Sequence, residues 1–573
     1  MVINSRGMGI YSSNPDEATG LLDETSNTDD MSSEIFGVSR TLGTTEAIVD
    51  WGLRHFILRQ NPEPEDMASW INQMNLVAEK TELGIPVVVA SNSRNENGQM
   101  TFGMNDASGV FSTWPGTLGL AAAVMGDIAR GGDAGLISRF AEIARNEWDA
   151  SGLKKGYMYM ADTMTDPRWQ RTYGTFGEDP ELISDIIGRL VEGFQNGSDG
   201  VQADGVALTV KHFPGGGARE NGFDPHYSQG QWNVYQTEGS LEKYHLPAFI
   251  KAVENRVSSI MPYYAKPAAE KSETQYDLEG NPIDMVPVGF AFNKVFINDI
   301  LREQIGHEGY VNSDSGITGN MCWGVEELDV PERNALAINV GTDIISDTND
   351  VNSIIEAWNR GPDGGKSDYY TTEGVVPAGY EVADVTLTTA ALDQSNVRLL
   401  KEMFDLGLFE NPYRDPDTAQ ETVDNQDNWD EAYEAHQKSV VLLKDGEGTL
   451  PLTADKLTGK KVYIQYFGQS NSASTTSELQ RSIMSGDYNI SLTNNYHEAD
   501  YALLFVNPSS GNYFSATKGY LELDICTDKI VHDVDDEGRP VADTHTESTI
   551  ENVESIKAIS EAVRANGGKV VTN

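Results

Sequence analysis

Between about residues 84 and 350, short runs of β-branched and aromatic residues alternate with longer amphipathic stretches. No other feature constrains the fold as strongly. The runs are Pro86–Ser91, Tyr157–Asp162, Ala207–Phe213, Ser258–Tyr264, Tyr310–Asp314 and Asp343–Asp347. Helical patterns over Leu118–Ala129, Leu182–Phe194, Leu241–Val253 and Pro331–Val340 lie between them. Strand, helix and strand again at this spacing predicts a parallel α/β architecture. Most of these runs finish on or next to polar residues: Asn92, Asp162, Lys211 with His212, Tyr264, Asp314 and Asp347. In a (β/α)8 barrel the C-terminal strand ends carry the active site. Asp and Asn are also ordinary turn and cap residues, so each position alone says little; together they favour a site.

A chain of 573 residues exceeds what one hydrophobic core supports, so two or more domains are expected. Residues 411–430 read as an acidic linker, with Pro412, Pro416 and a dense scatter of Asp, Asn and Gln. A first domain would then span 1–410 and a second 431–573. The second begins with a helical stretch, Glu431–Val440, that runs into the apolar Val440–Leu443. Strand-like Lys461–Tyr466 and Tyr501–Val506, helix-like Asn552–Ala565 and a final strand-like Lys569–Thr572 follow, which reads as an incomplete α/β layer.

The net charge of −47 argues against nucleic-acid partners, because phosphate binding needs clustered Lys and Arg, and against anionic membrane surfaces. Acidic residues are spread along the whole chain, as on a strongly solvated surface rather than a binding tail. Two cysteines, Cys322 and Cys526, leave little room for a disulfide framework or a Cys-based metal site, and no cofactor is expected. Met1–Ser5 has neither the basic nor the apolar region of a signal peptide, which fits a cytoplasmic chain or a secreted or periplasmic one whose leader is missing.

Three segments carry chemistry. Lys211-His212-Phe213-Pro214-Gly215-Gly216-Gly217 sets a cation and an imidazole at a strand end before a glycine turn, where they can hydrogen-bond adjacent hydroxyls of a polar ligand. A phosphate-binding loop is disfavoured, since Lys precedes the glycines. Arg171, in Asp166-Pro167-Arg168-Trp169-Gln170-Arg171, offers a planar fork for hydroxyls, while Glu178-Asp179-Pro180 fits the cap of the next helix. Asp314, after Gly309-Tyr310-Val311-Asn312-Ser313, is a carboxylate that can attack a sugar C1.

These segments, with Leu83-Gly84-Ile85-Pro86 before them and His436-Gln437-Lys438-Ser439-Val440-Val441-Leu442-Leu443-Lys444 and Leu450-Pro451-Leu452 after, resemble glycoside hydrolase family 3, the β-glucosidase-like enzymes. The likeness covers about 84–345 and 400–452 and suggests a member shortened at both ends. It implies a (β/α)8 TIM-like barrel followed by a partial α/β-sandwich domain. It further implies an exo-acting retaining hydrolase that removes terminal β-linked sugars from an oligosaccharide or glycoside. Carried over by motif, Asp314 is the nucleophile, Arg171, Lys211 and His212 hold the terminal sugar, and Tyr264 is a wall or hydroxyl partner.

Three positions depart from the family pattern: Asn92 stands where an Asp is usual, Gly174 where a Glu is, and Ser315 where a Trp commonly follows the nucleophile. They open the alternatives of a different sugar or a catalytically impaired carbohydrate-binding relative. For the acid/base there are two candidates. Asp224-Pro225-His226 matches the Asp-x-His dyad of the β-N-acetylglucosaminidase branch, where a carboxylate orients an imidazole, and that enzyme is the alternative activity. Glu522, in Lys518-Gly519-Tyr520-Leu521-Glu522, is the weaker second-domain alternative.

Overall fold

A computed structural model describes residues 1–11, 18–26, 42–97, 110–169, 171–364, 376–445, 448–468, 472–486, 488–508, 525–535 and 539–573. The chain forms two compact units. One takes Met1–Pro167, Arg171–Glu220 and Gly230–Val440, the other Arg168–Gln170, Asn221–Gln229 and Val441–Asn573.

The first unit is a closed barrel of eight parallel strands in sequence order: β1 (Val2–Ser5), β2 (His55–Ile57), β3 (Val88–Ser91), β4 (Lys155–Gly156), β5 (Ala207–Phe213), β6 (Ser259–Pro262), β7 (Tyr310–Ser315) and β8 (Ile344–Ser346). Pairing of β1 with both β8 and β2 closes the ring, so the barrel has no free edge. Every parallel neighbour needs a crossover, and helices supply most of them: α1 (Pro64–Glu79), α2 (Thr117–Ala129), α3 (Gly135–Ala150), α4 (Pro180–Gln195), α5 (Pro247–Glu254), α6 (Val330–Asn339) and α7 (Val351–Arg360) lie along the chain. Three of these seven helices start on an Asp cap. Asp179 accepts from the Glu181 and Leu182 amides with Pro180 at the first helical position, and Asp329 forms a capping box with Glu332.

Inside the barrel, Ile3, Ile57, Ala90, Tyr157, Met261, Tyr310 and Ile344 form one buried cluster with Leu399. Leu399 comes from α8 (Thr389–Asp405), which closes the N-terminal mouth. One turn further on, Glu402 accepts from Lys155 Nζ at 2.6 Å and from the Tyr310 hydroxyl at 3.1 Å. Both members of this ion pair are almost wholly buried, with side chains 2% and 1% exposed. With that mouth plugged, ligand chemistry is left to the C-terminal ends of the strands.

Several expectations shift. Strands β1 and β2 escaped notice because, at four and three residues, they are too short to show an alternating pattern. The run expected over Tyr157–Asp162 pairs earlier, at Lys155–Gly156, and its backbone meets β5 again at the Met160–Lys211 bridge. The helix expected over Leu241–Val253 is a π turn, Leu241–His245, and then α5, divided at Pro247, which has no amide hydrogen to donate. The acidic linker expected at 411–430 instead carries α9 (Pro416–Val423) and the start of α10 (Gln426–Lys438). Asp415 and Asn425 are their N-caps, and Ala419, Val423 and Asn428 are buried. A few packed positions per helix suffice where caps are strong, and the polar composition marks only the outer faces.

The second unit, from Val441 on, holds a four-stranded parallel sheet. It is built from β9 (Lys461–Phe467), β10 (Ser491–Leu492), β11 (Tyr501–Val506) and β12 (Lys569–Thr572) in the order β10-β9-β11-β12. Helix α11 (Val553–Ala565) packs Ile559 and Val563 against Phe467, Ala502 and Leu504.

Candidate active site

The glycine turn after β5 builds the site around Asp162. The Asp162 carboxylate accepts the His212 imidazole (Nδ1 to Oδ2, 2.9 Å), the His212 amide at 3.2 Å and the Gly216 amide at 2.5 Å. The turn fits under residues 163–165 because it lacks side chains: a Cβ on Gly217 would stand 1.8 Å from the Thr163 carbonyl oxygen. A carboxylate only accepts, so the Asp162 bond assigns the imidazole proton to Nδ1. Burial first, then the nearby Arg171 charge, push His212 down to about 4, so the ring is neutral and its Nε2 is an acceptor. That Nε2 faces Asp314 Oδ2 at 3.8 Å.

Asp314 sits near the end of β7, 8% exposed. Its Oδ1 accepts the Ser315 amide at 2.9 Å, while Oδ2 is buried without a hydrogen-bond partner among the described residues. Burial, followed by the Asp314 charge, raises the Tyr264 phenol's pKa well above its ordinary value. A carboxylate with one oxygen held and the other bare is arranged to form a bond with an electrophilic carbon.

Lys211 Nζ reaches Asn92 Oδ1 at 3.4 Å and lies 5.2 Å from the Tyr157 ring centre. Burial, with the Arg171 charge second, pushes this ammonium down to about 7, against the pull of Asp314 and Asp162. Arg171 opens a short turn, Thr172–Gly174, and its guanidinium stands 5.9 Å from the Tyr263 ring. The same ring packs on His212 with centroids 4.6 Å apart. At Gly174, the position that departs from the family pattern, a Cβ would meet Met160 Sδ at 2.7 Å, so a side chain there would require Met160 to shift.

The structure therefore gathers Asn92, Arg171, Lys211, His212, Tyr264 and Asp314 in the first unit. Asp224 and His226 belong to a segment of the second unit. There the imidazole Nδ1 contacts the Asp224 carboxylate directly, His226 N donates to Asp224 Oδ1 at 3.2 Å, and Trp169 Nε1 donates to Asp224 Oδ2 at 3.4 Å. Glu522 lies outside the described residues.

Sequence reasoning gave no role to Asp162, Tyr263, Arg59 or Ser5. Asp162 was legible as a polar strand end, and Tyr263 as the neighbour of Tyr264. Arg59 and Ser5 follow or end the two unrecognised strands and carried no signal. Among the described residues no cluster of His, Cys, Asp and Glu could hold a metal ion, and no helix is long and apolar enough to cross a membrane.

A closed parallel (β/α)8-type barrel, with a carboxylate and a Lys-His pair at its strand ends, defines the class: a TIM-barrel protein. Comparison with known proteins agrees. Residues 44–366 match the glycosyl hydrolase family 3 N-terminal domain, and the chain belongs to that family. It is 34% identical over 425 residues to a periplasmic β-glucosidase/β-xylosidase of Dickeya chrysanthemi, covering 71% of this chain and 58% of that protein. It is 31% identical over 475 residues to a probable β-glucosidase C of Aspergillus flavus, covering 81% and 65%. The chain thus spans less than two thirds of the length of these relatives. Among solved structures, an exo-1,3/1,4-β-glucanase from a Pseudoalteromonas species matches with a TM-score of 0.63 at 19% identity, over 92% of this chain and 60% of that one. A β-glucosidase from Listeria innocua bound to isofagomine matches at 0.59 and 18%, over 91% and 63%. These two likenesses concern the fold.

Proposed function

We propose that the chain is the catalytic part of an exo-acting retaining β-glycosidase, β-glucosidase-like, with Asp314 as its nucleophile. The observation that carries this is the Asp314 carboxylate: Oδ1 is fixed by the Ser315 amide, Oδ2 has no hydrogen-bond partner among the described residues, and Lys211, His212 and Tyr264 lie close enough to feel its charge. In the first step Oδ2 attacks the anomeric carbon as the glycosidic C–O bond breaks, and an acid protonates the departing oxygen. In the second, water attacks the same carbon, gives its proton to the conjugate base and releases Asp314, so the configuration is retained. Arg171, Lys211, His212 and Asn92 are the contacts to the hydroxyls of the terminal sugar.

For the acid/base the reading favours His226 paired with Asp224, because a carboxylate against the imidazole orients the ring and supports its protonated form. The curated relatives named above are a β-glucosidase/β-xylosidase and a probable β-glucosidase, which supports a neutral sugar.

A panel of 4-nitrophenyl β-glucoside, β-xyloside, β-galactoside and N-acetyl-β-glucosaminide tests this reading. Release from the glucoside or xyloside, lost in Asp314→Ala, is expected. No release from any of them would sink the enzyme reading and leave the carbohydrate-binding one. Selective release from the aminosugar would transfer the assignment to an N-acetylglucosaminidase.

A further inference from the structure

Beside the nucleophile, four residues from four strand ends interlock. Ser5 ends β1, Arg59 lies just past β2, Ser315 ends β7 and Asp347 follows β8. Arg59 Nε donates to Ser5 Oγ at 2.6 Å, and Ser5 Oγ donates to Asp347 Oδ1 at 2.9 Å. Arg59 Nη2 pairs with Asp347 Oδ2 at 2.6 Å, and Ser315 Oγ donates to that same Oδ2. Asp347 is 4% exposed and takes a left-handed backbone at φ 53°, which Asp and Asn tolerate better than most residues. Three side chains thus converge on one buried carboxylate, and none of them is a sugar contact assigned above.

The group joining this cluster to the chemistry is Ser315. Its hydroxyl is tied to Asp347 and its amide donates to Asp314 Oδ1 at 2.9 Å. Both bonds belong to one residue, so fixing the hydroxyl restrains the peptide that aims the nucleophile. We infer that Asp347, charge-balanced by Arg59 and tied to Ser5, is a positioning residue. It acts through Ser315 to hold Asp314 with Oδ2 presented to the anomeric carbon. This inference rests on the catalytic reading of Asp314 above. It assigns a task to Ser315, which at first sight is only a small replacement for a large aromatic. A charge-assisted hydrogen bond restrains orientation more firmly than packing around a serine can, and attack geometry is sensitive to small displacements.

The test separates aiming from binding and from folding. The rate of covalent capture of Asp314 by 2,4-dinitrophenyl 2-deoxy-2-fluoro-β-glucoside reads nucleophile geometry. Affinity for the unreactive 4-nitrophenyl β-thioglucoside reads the sugar contacts, and thermal unfolding reads stability. Ser315→Ala and Asp347→Asn should be captured about tenfold to a hundredfold more slowly, the range of one hydrogen bond to a charged group, with thioglucoside affinity unchanged. Ser315→Thr, which restores the hydroxyl, should recover most of the rate. If Asp347→Asn does not fold, the Ser315 pair alone decides. Capture of Ser315→Ala at the wild-type rate would overturn the relay, as would capture of Ser315→Thr as slow as that of Ser315→Ala. Equal loss of capture and affinity would likewise reduce it to a structural role. Failure to capture the wild type at all would overturn the catalytic reading together with the relay.

Discussion

His212 and Asp162 form a buried pair, with imidazole Nδ1 donating to carboxylate Oδ2 at 2.9 Å and side chains 1% and 0% exposed. The pair orients the imidazole that faces the candidate nucleophile. Because Asp162 also takes two backbone amides, one carboxylate shapes the glycine turn and sets the tautomer of His212.

Asp162→Asn keeps the shape but replaces a negative acceptor with an amide that can place a donor against Nδ1. The ring is then free to flip or to protonate at Nε2. We expect kcat/KM on an aryl β-glucoside to fall about tenfold to a hundredfold, the span of a lost charge-assisted hydrogen bond. Steady-state kinetics with a melting curve checks it; an unchanged kcat/KM would remove the pair from the mechanism.

Lys211 sets an alkaline limit. Its ammonium is pushed down to about 7, so the charge is present below that pH and lost as pH rises through it. The kcat/KM profile should therefore fall on its alkaline side near neutrality. Asn92→Asp places a carboxylate where the Lys211 contact is now an amide oxygen at 3.4 Å, and should move that limb to higher pH. A limb that stays in place in Asn92→Asp would assign it to another group.

Glu147 controls a stability window. It is wholly buried, accepts from Asn95 at 2.7 Å and the Ser112 amide at 3.2 Å, and burial pushes its carboxyl up to about 7. A folded pKa above the unfolded value means that the native state binds more protons between about 4.5 and 7. Stability then falls as pH rises across that window. Glu147→Gln, neutral throughout, should flatten this dependence. Denaturant midpoints at three pH values measure it; a slope equal to that of the wild type would refute the assignment.

The Lys155–Glu402 pair at the closed mouth is buried on both sides. Removing one partner strands the other, and Glu402→Ala should destabilise the protein by about 3–5 kcal/mol. Equilibrium unfolding decides this, and a loss below about 1 kcal/mol would place the pair in the class of exposed ion pairs.

Much of the barrel was legible because its parallel strands tend to carry β-branched and aromatic residues and most crossovers between them are helices. Ala207–Phe213, Tyr310–Asp314 and the Asp179-Pro180 cap declared themselves in this way. The candidate site was legible where its residues lie on strands with strong patterns: Lys211, His212 and Asp314. It was not legible at Arg59 and Ser5, because β1 and β2 are too short for a periodic pattern. The acidic stretch at 411–430 misled for a related reason: composition records the solvated face of α9 and α10 and hides the few positions that pack.

By itself, then, the sequence determined the alternation of elements, the family and the candidate nucleophile, since each is a local pattern of residue types. Only the tertiary structure decided which oxygen of Asp314 is bare, that Asp162 governs His212, and that Asp347 reaches Ser315. Those relations join groups whose placement depends on strands far apart in sequence. A hydrogen bond depends on positions in space to within a few tenths of an ångström, and no local pattern encodes such positions until the barrel has closed.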